Sequence, residues 1–368
     1  MLIKNGNVFI GKSFLKTDVE FHEKITAIGA LSGEADFDAA GMYVIPGLVD
    51  IHTHGAMGED FSDGKTEGLQ KMADYYGKNG VTSFLATTMT LKEETLTPAM
   101  EAIRNFKNNG GAKCAGIHLE GPFLSYAKRG AQAAENLHKP DEALFDRLNA
   151  ASGGKVKLVT VAPEEDENLA FISAVSKKCT VSLGHTTADY DTAMKAFAAG
   201  ATHATHLYNG MPGYAHRSPG VIGAASDAGA SVELICDGLH IHPAAIRVTS
   251  RLFGDKLNLV SDSLRCAGMP DGEYELGGQP IEVNAGKATL LGTDTLAGSC
   301  ISMLDALRNV VSFGLSLPEA VYAASTAPAE AVNLTDIGSI TVGKCADMVV
   351  LDKELNLVAV FVDGKKVV

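Results

Sequence analysis

Short apolar runs alternate with longer amphipathic stretches through the middle of the chain. The runs predict eight strands: LVDIHTH, VTSFLATT, CAGIHLE, VKLVTVA, TVSLGHT, ATHATHL, SVELICD and KLNLVSD. The amphipathic stretches predict helices after most of them, for example over residues 92–108, 140–150, 188–199 and 243–253. Such alternation is typical of an α/β fold with a parallel sheet, and eight units favour a closed (β/α)8 TIM-type barrel. An open, doubly wound sheet is the alternative.

The two ends of the chain have a different pattern, with short β-like runs separated by tight turns. Residues 2–10, 19–28, 338–352 and 357–368 show this texture, and neither end is long enough for a core of its own. We therefore expect residues 1–47 and 335–368 to form one small β-sandwich domain, and residues 48–334 to form a metal-dependent catalytic barrel. The glycine-rich segment 264–299 is expected to be an insertion after the eighth strand that covers a site.

Composition limits the possible functions. The 368 residues are 46% hydrophobic and 20% charged, as in ordinary globular proteins, and no apolar run is long enough to span a membrane. Asn5 and Gly6 stand where a signal peptide would be apolar, so a cytoplasmic location is expected. The six cysteines form no CxxC pair, which favours reduced thiols. A net charge of −13 argues against nucleic acid but allows a small anionic substrate.

Histidines and carboxylates follow most of the predicted strands. Because catalytic groups of a (β/α)8 barrel lie at the carboxyl ends of its strands, these side chains are expected to converge. His52 and His54 form an HxH pair, two histidines separated by one residue, and would point to the same face of their strand. This pair alone is weak support for a metal site, since His240-Ile241-His242 is a second one. The whole set predicts a metal site: His52, His54, His118, Glu120, His185, His206, Asp237, His240 and Asp262.

Motifs along essentially the whole chain carry a family resemblance. They are PGLVDIHTHG, HLEGPF, SLGHT, THLYNGMP, HRSPGVIGA, CDGLH, SDS, LAGS and GSITVGKCADMVVLD. Through them the chain resembles the amidohydrolase superfamily and, within it, the N-acetylglucosamine-6-phosphate deacetylases. HLEGPF and THLYNGMP are specific to that branch, whereas HxH and ADMVVLD mark only the superfamily. The resemblance implies metal-dependent hydrolysis of an N-acetylglucosamine 6-phosphate acetamide to glucosamine 6-phosphate and acetate.

The resemblance also implies a ligand set, and the chemistry agrees with it. Glu120, His185 and His206 would hold a divalent metal and leave a position for water, as catalytic zinc sites do. Asp262 would act as the single acid–base group, and His240 would stabilise the oxyanion or hold the substrate carbonyl. His52 and His54 allow a second ion bridged through Glu120, so one or two ions remain open. Zinc is the first choice, with iron, manganese and cobalt as alternatives.

The substrate-binding residues are implied by the resemblance as well. Arg217 would bind the phosphate across a homodimer interface, a role that suits a bidentate guanidinium. Asn209 and the backbone of Gly210 would add phosphate contacts. Relatives often carry histidine where this chain has Gln132, which can still hydrogen-bond a sugar hydroxyl or carbonyl.

Other functions remain open at this point. The substrate can be N-acetylgalactosamine 6-phosphate or another N-acyl compound on the same fold and metal. A barrel that only binds a ligand without turnover is a further alternative. The presence of Asp262, the expected acid–base group, argues against it. Dihydroorotases and ureases are disfavoured, because the fourth strand ends in LVTVAPE and offers no lysine to bridge two ions.

Overall fold

The computed structural model describes all 368 residues. Five strands come first: β1 (Leu2–Ile10), β2 (Ser13–Phe21), β3 (Ile25–Gly29), β4 (Phe37–Asp38) and β5 (Tyr43–Pro46). The next ten are β6 (Leu48–Thr53), β7 (Gly55–Ala56), β8 (Glu59–Asp60), β9 (Val81–Thr88), β10 (Lys113–Glu120), β11 (Val156–Val161), β12 (Thr180–Leu183), β13 (His203–Ala204), β14 (Ser231–Ile235) and β15 (Leu257–Val260). The last six are β16 (Gly272–Leu276), β17 (Gln279–Asn284), β18 (Lys287–Leu290), β19 (Met348–Leu351), β20 (Leu357–Val362) and β21 (Lys365–Lys366).

Ten α-helices accompany these strands. They are α1 (Thr66–Lys78), α2 (Glu93–Asn105), α3 (Glu142–Ala151), α4 (Ala170–Val175), α5 (Tyr190–Ala198), α6 (Gly220–Ala228), α7 (Pro243–Phe253), α8 (Met303–Ser312), α9 (Leu317–Ala324) and α10 (Thr326–Ala331). The helix predicted over 243–253 has the observed bounds, and the one predicted over 92–108 ends three residues earlier. None of the helices has the length and apolar character that crossing a membrane requires.

Eight strands form the parallel sheet that the sequence predicts. Its order is β15-β14-β13-β12-β11-β10-β9-β6, so neighbours in the sheet are successive barrel strands along the chain. Just beyond β15, the backbone N–H of Asp262 donates to the carbonyl of His52 over 2.9 Å, which brings the first and last strands together. The closed barrel is therefore confirmed over the open sheet.

The sixth barrel strand is much shorter than predicted. The run ATHATHL forms only the two-residue strand β13, after which the backbone turns away from the extended conformation. His206 has φ +28°, a value that no strand residue adopts, and this ends the strand.

The two ends of the chain meet in one sheet of order β21-β20-β19-β5-β1-β2-β3, with β4 paired to β1. Phe21 of β2 and Phe361 of β20 are separated by three strands in this sheet, yet their ring centroids lie 5.3 Å apart. The single sheet therefore curls over its own core, rather than two separate sheets packing together. We propose residues 1–47 and 335–368 as the limits of this domain.

The insertion after the eighth barrel strand contains the antiparallel sheet β16-β17-β18. Its apolar side packs into a small core that includes Leu264, Leu276 and Ile281. Leu276 and residues 295–298 also line the cavity at the mouth of the barrel. The prediction that this segment covers a site agrees with that placement.

Candidate metal centre

The polar side chains singled out in the sequence converge at the carboxyl end of the barrel. His52 lies near the end of β6 and His54 follows that strand, whereas Glu120 is the last residue of β10. Three further residues each stand two positions beyond their strand: His185 after β12, His206 after β13 and Asp262 after β15. All six are buried, with at most 8% of any residue exposed.

Three of these residues adopt a left-handed backbone conformation. The φ angles are +47° at His185, +28° at His206 and +48° at Asp262. Such values are uncommon for residues with a side chain and cost free energy, of order 1–3 kcal/mol at the unfavourable end. At each position the turn directs the side chain of a residue beyond the strand into the barrel mouth. Strain that recurs at three converging residues points to function rather than to packing.

Two histidines from neighbouring strands approach one carboxylate oxygen. The Nε2 atoms of His185 and His206 lie 3.2 and 3.0 Å from Glu120 Oε1, and 3.0 Å from each other. The other ring nitrogen of His185 lies 2.8 Å from the carbonyl oxygen of Lys128, so Nδ1 donates and Nε2 presents its lone pair. We call His185 and His206 the β12–β13 half of the site.

The HxH histidines approach the same carboxylate of Glu120 and also lie near Asp262. His54 Nε2 lies 3.2 Å from Glu120 Oε2 and 3.3 Å from Asp262 Oδ1. His52 Nε2 lies 3.5 Å from Glu120 Oε1 and from Asp262 Oδ1, and it has no hydrogen-bond partner although it is buried. We call His52 and His54 the β6 half. Glu120 is shared by both halves.

These spacings fit divalent metal ions. Ligand atoms around a tetrahedral zinc ion with bonds of ~2.1 Å are ~3.4 Å apart, close to the distances in both halves. Two of the four His, Cys, Asp and Glu groups whose ligand atoms fall within mutual reach contain Glu120: one with His185 and His206, and one with His52 and His54. The buried Nε2 of His52 has no hydrogen-bond partner, so its lone pair is available to a metal ion. Each half thus offers a group of side chains that could hold a divalent metal ion, and Glu120 is available to both groups.

The electrostatics of the site favour a cation. Burial by itself lowers the pKa of a histidine, but Asp262 and Glu120 outweigh it and raise the pKa of His54 to about 9. The pKa of His52 is also raised well above its usual value, since burial is outweighed by Glu120, Asp262 and Glu233. The carboxylates therefore create a negative field that protons or metal ions can satisfy.

Sequence reasoning missed one residue that supports the site directly. Glu233 in the middle of β14 is fully buried, and its Oε2 lies 2.8 Å from Nδ1 of His52. Burial raises the pKa of Glu233, but His52 and other histidines outweigh this and lower it to about 2. A glutamate in the barrel interior is the signal that points to this role, because apolar residues are usual there.

Asp237 was noted in the sequence without a role. Its Oδ2 accepts a hydrogen bond from Nδ1 of His240 over 2.7 Å. Its Oδ1 accepts from the backbone N–H groups of Leu239 and His240. Asp237 thereby fixes the ring of His240 and leaves Nε2 of that ring free to face a ligand.

His118 lies beside the site without joining it. Its ring packs against that of His52 at 4.5 Å between centroids, and its Nε2 hydrogen-bonds Oγ1 of Thr160. Burial, followed by the charge of His52, lowers the pKa of His118 well below its usual value. Although the sequence includes His118 in the set that predicts the metal site, it is thus a neutral neighbour of His52 rather than part of the group around Glu120.

A cavity of about 200 Å³ opens onto these residues. Most of the candidate site residues line it: His54, Glu120, Gln132, His185, His206, Asn209, Gly210, His240 and Asp262. Gln132 holds Glu120 from the side, since its Nε2 donates to Oε2 of that carboxylate over 2.9 Å. Gly210 has φ +59°, and a Cβ there would come within 2.9 Å of His185 Nδ1, so only glycine fits against this ligand.

Arg217 lies elsewhere. It is exposed on the loop before α6 and does not line this cavity in its own chain. No lysine or arginine is among the residues that line the cavity. A lysine or arginine that contacts an anionic group bound there would therefore come from outside the lining residues.

Fold and site together define a barrel hydrolase of the metal-dependent kind. The chain belongs to the amidohydrolase family, whose model matches residues 43–367. It is 37% identical over 373 residues to N-acetylglucosamine-6-phosphate deacetylase of Bacillus subtilis (strain 168), covering 99% of this chain and 93% of that protein. It is 35% identical over 326 residues to N-acetylgalactosamine-6-phosphate deacetylase of Escherichia coli O157:H7, covering 87% and 86%.

Among solved structures, the chain is similar to a variant of N-acetyl-D-glucosamine-6-phosphate deacetylase from Mycobacterium smegmatis in complex with N-acetyl-D-glucosamine-6-phosphate. The TM-score is 0.95 at 34% identity, and the match covers 100% of this chain and 99% of the other. The family resemblance noted in the sequence is thus confirmed.

Proposed function

We propose that this protein is an amide hydrolase that converts N-acetylglucosamine 6-phosphate to glucosamine 6-phosphate and acetate. The observation that carries this proposal is the position of Glu120, whose two oxygens lie 3.0–3.2 Å from ligand nitrogens of both halves. The similarity to deacetylases over nearly the full chain supports the reaction and the substrate class.

A divalent metal bound here supplies a nucleophilic water at neutral pH and polarises the amide carbonyl. Glu120, His185 and His206 would hold that metal, and His52 and His54 would hold a second. Zinc suits a set of imidazoles and carboxylates, and iron, manganese or cobalt can replace it. We propose two ions per chain because each half offers a complete group of ligand atoms.

Asp262 and His240 would carry the remaining chemistry. Asp262 lines the cavity and would take the proton from the attacking water, then deliver it to the amine nitrogen as the C–N bond breaks. His240 is held by Asp237 with its other nitrogen free, so it can donate to the carbonyl oxygen as negative charge develops there. One water is consumed, and acetate and the free amine are released.

Substrate binding would draw on residues around the cavity and on a second chain. Asn209, Gly210, His240 and Gln132 line the cavity and can contact the sugar phosphate. A guanidinium or ammonium group suits a phosphate, and the cavity of one chain has neither among its lining residues. We propose that the exposed Arg217 of a second copy reaches this cavity in a homodimer.

A second candidate function is hydrolysis of the epimer N-acetylgalactosamine 6-phosphate. The similarity to a deacetylase of that substrate, at 35% identity, favours keeping it. The two sugars differ only at C4, so the same metal centre can serve both.

The proposal is tested by acetate release from purified, metal-loaded protein with each 6-phosphate sugar. We expect kcat/KM to be higher for N-acetylglucosamine 6-phosphate than for its epimer. Equal values would remove the strict glucosamine assignment. Absence of acetate from both sugars, with metal bound, would overturn the proposed function.

A further inference from the structure

Glu233 is a charged residue in a place where packing favours an apolar one. It lies in the middle of β14, within the barrel interior, and none of its surface is exposed. Burying a carboxylate costs several kcal/mol even after the protein relaxes. Well-packed apolar residues of similar size often serve stability as well or better. Its presence therefore needs an explanation other than the stability of the barrel.

The contacts of Glu233 lead to both halves of the metal centre. Oε2 accepts a hydrogen bond from Nδ1 of His52 over 2.8 Å and a second from the backbone N–H of His206 over 3.0 Å. The backbone carbonyl of Glu233 also accepts from the N–H of Leu207 over 2.8 Å. One residue thus holds the ring of His52 and the turn that carries His206.

The bond to His52 decides which ring nitrogen faces the cluster. A carboxylate only accepts, so Nδ1 of His52 carries the proton and Nε2 keeps its lone pair when the ring is neutral. That Nε2 is the atom that lies 3.5 Å from Glu120 and Asp262 without a hydrogen-bond partner. A carboxylate partner also makes the imidazole a stronger ligand.

We propose that Glu233 is a positioning residue that sets the affinity of the β6 half for its metal ion. This inference rests on the proposed function for the presence of metal, and it concerns ion binding rather than the reaction. Glu233 acts through His52, and it touches neither the cavity nor the substrate site.

Two substitutions separate its charge from its hydrogen bonds. In Glu233→Gln the amide oxygen can still accept from His52 and His206, because the opposite orientation would face two donors toward each other. Only the charge is lost, and we expect the β6 half to bind zinc about 10-fold more weakly. Glu233→Leu removes both hydrogen bonds and frees the tautomer of His52, so we expect a loss nearer ~100-fold.

Asn258 provides a matched control. It lies opposite Glu233 in the register of β14 and β15 and is equally buried, but it bonds His203 and backbone carbonyls rather than the metal centre. Asn258→Ser disturbs the same layer of the barrel interior. We expect it to leave the affinities of both ions unchanged.

The experiment strips the proteins of metal, checks their fold by circular dichroism, and titrates them with zinc against a chromophoric chelator. The same titration in a His54→Ala background measures the β12–β13 half alone, where Glu233→Gln should have no effect. If wild type binds a single ion, or if folded Glu233→Gln binds both ions with wild-type affinity, the proposal is overturned. An equal loss in Asn258→Ser would overturn it too. Acetate release is assayed separately, so failure of the deacetylase assignment is distinguishable from failure of this role.

Discussion

The two halves of the metal centre reach the same carboxylate by different structural means. The β6 half comes from one strand and the residue directly after it, where alternate residues share a face, and neither histidine has a positive φ. The β12–β13 half comes from two strands, and both of its histidines occupy left-handed turns. The first half is built by the regular geometry of a strand and the second by strained turns that follow strands.

The halves also differ in what surrounds them. Asp262 Oδ1 lies 3.3–3.5 Å from the Nε2 atoms of the β6 half, and Glu233 accepts a hydrogen bond from Nδ1 of His52 in that half. The β12–β13 half contacts Glu120 more closely, at 3.0–3.2 Å, and the imidazole ring of His185 is held by the carbonyl of Lys128 and packed against Gly210. We infer that His185, His206 and Glu120 would hold the ion that supplies the nucleophilic water, and that the β6 half, which lies against Asp262, would tune that carboxylate.

The largest effect is expected from breaking the β12–β13 half. His185→Ala removes one of the three atoms that hold the ion, so we expect acetate release to fall to background. Elemental analysis should show that this protein has lost the ion, while circular dichroism stays unchanged. Full metal content in folded His185→Ala would contradict the ligand assignment.

The next effect tests Asp262, which lies against the β6 half. In Asp262→Asn the side chain keeps its shape but no longer takes a proton, so we expect kcat to fall by about 10²–10⁴-fold. The ion of the β12–β13 half should remain, as measured by elemental analysis. A loss of only a few-fold would mean that another group moves the proton.

The contrast between the halves also shows what the sequence could predict. The segment His52-Thr53-His54 after an apolar run indicates the β6 half directly. The predicted order of the strands places the other candidates at the same end of the barrel: Glu120, His185, His206 and Asp262. Family motifs then added their roles. The left-handed turns at His185 and His206 could not be predicted, because no local rule requires histidine there.

Glu233 and the curled sheet escaped prediction for a related reason. The role of Glu233 depends on its distance to His52, which is 181 residues away along the chain. The runs at the chain ends predicted strands, but only long-range contacts such as Phe21 with Phe361 decide how a sheet bends. Local periodicity in a sequence predicts strands and helices, but it does not predict contacts between residues that are far apart along the chain.

A smaller effect is expected from breaking the β6 half. His54→Ala should lower the metal content by one ion per chain while leaving the ion of the β12–β13 half. Because the water-activating ion stays, we expect kcat to fall less than in His185→Ala. Equal loss of activity in the two variants, at one ion lost in each, would mean that the halves do not differ as inferred.

The smallest effect is expected from Arg217, which lies outside both halves. Loss of its charge-assisted hydrogen bonds in Arg217→Ala should raise KM for the 6-phosphate sugar by roughly 10- to 100-fold and leave kcat nearly unchanged. KM for unphosphorylated N-acetylglucosamine should not move, and an equal rise for both sugars would show that Arg217 does not bind the phosphate.

Mixing Arg217→Ala chains with Asp262→Asn chains tests whether Arg217 acts across a dimer interface. A mixed dimer then holds one cavity with an intact Asp262 served by an intact Arg217, so activity at low substrate should exceed that of either variant alone. Activity equal to the sum of the separate variants, in a sample shown to have exchanged subunits, would mean that Arg217 does not act across an interface.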